Sequence, residues 1–72
     1  MGYIYIFKPN GKGGWVSNDF GGTYKTKRLV LEGIALHHLK LDISELNYIS
    51  DSILERMLDD VGVTVIFTEV VL

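Results

Sequence analysis

Cysteine is absent from this 72-residue chain, which excludes a disulfide framework and any thiolate metal site, two of the usual supports of small folds. Proline occurs once, at Pro9, so no stiff proline-rich linker divides the chain and residues 1–72 are expected to form a single domain. No apolar run reaches the roughly 18 to 20 residues that span a bilayer. The start Met1-Gly2-Tyr3-Ile4 lacks the basic region of a secretory signal, and the expected location is the cytoplasm. Charge is sparse at 22% of residues against 47% hydrophobic, a balance that favours a packed core over disorder.

The groups that commonly carry catalysis are also few. There is no thiol nucleophile and no H-x-x-x-H or C-x-x-C spacing to gather metal ligands. His37 and His38 are adjacent, so on a strand they point to opposite faces and share neither a metal nor a proton. One is expected beneath a helix and the other at the surface. A glycosidase-type carboxylate pair needs one member in an apolar cleft, and no acidic residue sits in such a setting. The chain is therefore expected to work by binding, without a cofactor and without enzymatic activity.

What is present points to α+β structure. Tyr3-Ile4-Tyr5-Ile6-Phe7 is aromatic and β-branched throughout and reads as a strand apolar on both faces. Pro9 to Gly14 supplies the turn into a short second strand at Trp15-Val16-Ser17. Phe20-Gly21-Gly22 turns the chain again, Thr23 to Glu32 reads as a third strand, and Ile34 to Leu41 beyond Gly33 reads as a fourth. Leu46, Ile49, Ile53, Met57 and Val61 recur at helical spacing, widened by Leu54 and Leu58. Ser44 is the expected N-cap and Gly62 the terminator, with Ser50 or Ser52 as caps of a shorter alternative helix. Val63 to Leu72 reads as a final strand. The expected fold is thus a two-layer α+β sandwich, one helix on a four- to five-stranded, mostly antiparallel sheet in the order ββββαβ. One helix shields one sheet face, so either the sheet curls on itself or, as is expected, a second copy packs in a homo-oligomer, through the open sheet face or the wide helix stripe.

Leu39-Lys40-Leu41-Asp42-Ile43-Ser44 followed by Tyr48-Ile49-Ser50-Asp51-Ser52 resembles the phosphorylatable-serine segment of STAS domains, the anti-sigma factor antagonists. The resemblance is confined to residues 39–52, has the order Ser-Asp-Ser and lacks the following glycine. No phosphorylated serine is carried over from it.

Charge is divided unevenly along the chain, +3 over residues 1–36 and −5 over residues 37–72. The basic part combines cations with glycines and aromatic rings, the inventory of a nucleotide or small-anion site, with Lys12, Trp15, Tyr24, Lys25, Lys27 and Arg28 as candidate ligands. Gly21 to Thr26 is not a P-loop, because no glycine precedes the lysine. Glycine-rich hairpins with lysines guarding an edge strand account for the same residues. The acidic part sets Asp51, Glu55 and Asp59 four apart on the expected helix. They form either a solvated face or a docking surface for a basic protein. Two functions follow: a homo-oligomer that sequesters a small anionic ligand such as a nucleotide, or a small inhibitor or adaptor, of the kind phage or mobile-element genomes encode, that docks its acidic helix on a basic protein. Nucleic acid is disfavoured as a partner by the net charge of −2, and a membrane by the lack of an apolar span.

Overall fold

A computed structural model describes residues 2–69. The chain runs β1 (Tyr3–Pro9), β2 (Trp15–Val16), β3 (Thr23–Tyr24), α1 (Lys27–His38), α2 (Ile43–Leu46), α3 (Asp51–Asp60) and β4 (Val63–Phe67). The four strands form one sheet in the order β3-β2-β1-β4. The β1–β2 and β2–β3 pairs are antiparallel, whereas β1 and β4 are parallel, with Tyr3 opposite Val63 and Phe7 opposite Phe67.

That parallel pair explains the main correction to the sequence reading. Parallel neighbours need a long crossover, usually helical, and here all three helices lie between β1 and β4. The expected third and fourth strands over 23–41 are only β3 followed by α1. Thr26 caps α1 by accepting from the Leu29 amide at 3.1 Å. Val30, Leu31, Ile34 and Ala35 are the buried positions of α1, a helical recurrence hidden in a β-branched stretch. Gly33 is not a turn. It lies inside α1 because the Tyr24 ring rests against the helix there, and a Cβ at Gly33 would sit 3.0 Å from Cε1 of that ring.

The single long helix expected from Ser44 onward is two helices. Glu45 Oε1 accepts from the Asp42 amide at 3.3 Å at the start of α2, and Ser50, not Ser44, caps α3 by accepting from the Ile53 amide at 3.4 Å. Leu54 and Leu58 are the buried residues of α3, whereas Ile53 and Val61 are exposed. Gly62 ends α3 as expected, at φ 79°, a backbone region costly for residues with a Cβ. Lys40, at φ 56°, turns the chain after α1. The fold is therefore a mixed, four-stranded α+β sandwich of order βββαααβ, rather than one helix on a mostly antiparallel sheet. The expected continuation of the last strand over 70–72 lies outside the described residues.

The core lies between one sheet face and the helices. Tyr5 and Phe7 of β1 and Val63 of β4 pack with Val30, Leu31, Ile34, Ala35, Leu46, Leu54 and Leu58. Successive strand residues face opposite sides, so Ile4, Ile6 and Ile66 point away from the helices and are 63%, 50% and 43% exposed. β1 is thus buried on one face, not two. The shortest dimension of the molecule, 19 Å, leaves room for one sheet and one helical layer. Among the described residues no helix is long and apolar enough to cross a membrane.

Candidate functional site

Of the cations and rings of the basic part, Trp15, Tyr24 and Lys27 are brought near one another, whereas Arg28 turns towards α2 and α3. Trp15 and Tyr24 are cross-strand partners in the β2–β3 pair. Trp15 meets Phe67 edge-on at 5.2 Å, and the Lys27 ammonium lies 5.3 Å from the centroids of both rings. The same ammonium is 3.8 Å from Glu69. The ring of Trp15, a candidate ligand contact, therefore already carries a cation. Tyr24 donates its hydroxyl to the Gly21 carbonyl at 2.9 Å and sets its ring edge-on to Phe7.

Arg28 is the most heavily engaged of the six. Its Nε donates to Glu32 at 2.9 Å, Nη1 to Asp51 at 2.8 Å and Nη2 to the Leu46 carbonyl at 2.6 Å. The fork of the guanidinium thus ties α1 to the end of α2 and the start of α3, a geometry lysine cannot reproduce. The Glu32 hydrogen bond above all, and then Asp51, hold its pKa above the usual arginine range against the opposing effect of burial. In the β1–β2 hairpin the amides of Lys12 and Gly14 both donate to Oδ1 of Asn10, at 2.7 and 2.9 Å. Two amides of this glycine-rich turn are therefore spent within it. Lys12 and Lys25 remain exposed.

The acidic set also divides. Asp51 pairs with Arg28, whereas Glu55 and Asp59 line a groove of about 260 Å³ beside β4, with Leu31, Leu58, Val63 and Val65. The sequence placed the three carboxylates on one stripe correctly. It held no sign that two of them border the outer edge of the sheet, because strand order is not written in local periodicity.

A third cluster joins β1 to the end of α1. Tyr5 Oη and His38 Nε2 are 2.8 Å apart, the rings of Tyr3 (tilted) and His37 (edge-on) each lie 4.9 Å from that of His38, and Phe20 lies 5.8 Å from His37 and 5.3 Å from Tyr5. The two histidines share the last turn of a helix instead of opposite faces of a strand. Among the described residues no group of three or more His, Asp or Glu side chains is placed to hold a metal ion. Burial, and secondarily His37, push the His38 pKa down, while burial, Tyr3 and Asp19 push that of Tyr5 up. The rings pack on one another as a structural joint.

The remaining feature is the uncovered sheet face. Ile6 and Ile66 are directly paired across β1 and β4, Ile4 lies opposite Thr64, and Lys8 opposite Val16. A shallow recess beside Ile6 is bordered by Lys8, Asn18, Asp19 and Thr68. The segment that resembles a STAS domain forms the turn after α1, then α2 and the start of α3, with no strand. Comparison of the chain with protein-family models, characterised proteins and solved structures finds no match.

Proposed function

We propose that this chain is a non-enzymatic protein-binding module that works as a homo-oligomer through its uncovered sheet face. The supporting observation is the row of Ile4, Ile6 and Ile66 at 63%, 50% and 43% exposure on a face that no helix covers among the described residues. Apolar residues gathered on one face, rather than scattered singly, mark contact surfaces. A protein surface is favoured over a small anion because Trp15, Tyr24, Lys27 and Arg28 are already engaged within the fold. Strand spacings give the face about 400 Å² per copy. Burying it twice falls below the area of a standard interface, so the association is concentration-dependent.

Native mass spectrometry and sedimentation across a dilution series test this reading. Dimers or higher species that dissociate on dilution, and that Ile6→Glu converts to monomer without loss of helicity, support it. A chain monomeric at every concentration, or a monomer retaining a phosphate-containing molecule lost in Lys25→Glu, overturns it and restores the anion-binding reading.

A further inference from the structure

Among the described residues β4 ends the sheet and pairs with β1 alone. The Gly62 carbonyl accepts from the Tyr3 amide at 2.7 Å, and the Thr68 amide donates to the Phe7 carbonyl at 2.9 Å. In a parallel ladder backbone groups alternate direction, so the even-numbered residues of β4 face β1. Val63, Val65 and Phe67 turn their N–H and C=O groups to the free edge, where no backbone partner meets them among the described residues. Exposed edges are commonly blunted by lysine, proline or a bulge. Val63-Thr64-Val65-Ile66-Phe67 carries none of these. Along this edge runs the groove with Leu31 and Leu58 at its base and Glu55 and Asp59 on its α3 wall. Neither carboxylate has an ion-pair partner among the described residues.

An added strand would direct alternate side chains over the groove and the others onto the open isoleucine face. Cations suit the first set and β-branched residues the second. We propose that the β4 edge and the Glu55–Asp59 groove bind an extended segment of a partner protein with Lys or Arg at alternate positions, by strand addition. A second copy fits this edge poorly. Antiparallel pairing of two β4 strands places both Glu55–Asp59 sets on the same side, where like charges repel. The inference rests on the chain being a protein-binding module but not on self-association through the isoleucine face.

The probe is an acetylated, amidated Lys-Val-Lys-Val-Lys-Val-Lys peptide, with Glu-Val-Glu-Val-Glu-Val-Glu as its counterpart, titrated into the full chain and into the Ile6→Glu variant. Backbone amide exchange and binding isotherms are read together. In the free chain the Val63, Val65 and Phe67 amides are expected to exchange fast and those of Thr64 and Ile66 slowly. The lysine peptide is expected to protect the fast set and to bind at least tenfold tighter than the glutamate peptide. Its affinity is expected to fall at least tenfold in Glu55→Gln/Asp59→Gln, and on N-methylation of its edge-facing amides. Equal binding of the two peptides, indifference to N-methylation, or absence of binding overturns the proposal. So does protection of the fast set before peptide is added, which means a second copy occupies the edge. Persistence of the peptide effect in a chain that never self-associates sinks the oligomer reading alone.

Discussion

The Tyr5 hydroxyl lies 2.8 Å from Nε2 of His38 and joins β1 to the last turn of α1. Burial raises the Tyr5 pKa and lowers that of His38, which favours the neutral form of each, and the tautomer of His38 sets which of the two donates. Tyr3 and His37 flank the ring, and Asp19 acts on the phenol.

A pH dependence follows from that pair. The folded His38 pKa lies below its ordinary value of 6.5. As pH falls below 6.5 the unfolded chain takes up a proton that the folded chain resists, so stability declines until folded His38 is itself protonated. Thermal unfolding between pH 7 and pH 5 is expected to show a falling midpoint in the wild type and a flatter profile in His38→Gln. An NMR titration placing the His38 midpoint above that of an unfolded peptide would contradict it.

Gly33 and Tyr24 are expected to be coupled. In an exposed helix interior Gly→Ala gains about 1 kcal/mol, but here the new methyl meets the Tyr24 ring at 3.0 Å. Gly33→Ala is therefore expected to give no gain alone and to stabilise by about 1 kcal/mol in a Tyr24→Ala background. Urea unfolding of the four chains reads the coupling directly; strict additivity would remove Tyr24 as the reason for this glycine.

Arg28 is expected to matter for stability whatever the chain binds. Hydrogen bonds to charged groups each contribute about 1.5–3 kcal/mol, and Glu32 beside it is only 26% exposed. Arg28→Lys, which keeps the charge and loses the fork, is expected to cost about 2 kcal/mol in denaturant unfolding. A neutral result means that the α1–α2–α3 junction is held by packing alone.

The two faces of β1 should respond differently. Phe7 is fully buried, and Phe7→Ala is expected to cost about 3–5 kcal/mol, most of the stability of so small a chain. Ile4→Thr, on the open face, is expected to change the stability of the dilute chain by about 0.5 kcal/mol or less and to weaken the proposed self-association. Circular dichroism melts at low concentration separate the two effects.

The contrast between α1 and α3 shows which structure was legible in the sequence. α3 carries strong helix formers, a serine cap and a terminating glycine, so its existence and end were readable. Val30-Leu31 and Ile34-Ala35 carry an equally helical spacing in α1, but β-branched residues and Gly33 imitate a strand and a turn. Local propensity there is overruled by packing against the sheet. The break at Asn47–Tyr48 was readable only as an alternative cap at Ser50.

The sequence by itself determined mixed α+β structure without cysteine, the β1 hairpin, a strand after Gly62 and the division of charge between the two halves. It also placed Asp51, Glu55 and Asp59 on one stripe. Tertiary structure alone decided that β1 and β4 are parallel neighbours, that Arg28 is consumed by Glu32 and Asp51, and that Glu55 and Asp59 face a free strand edge. Side-chain periodicity reports which face of an element is apolar. It carries no information on which other element that face, or that edge, will meet.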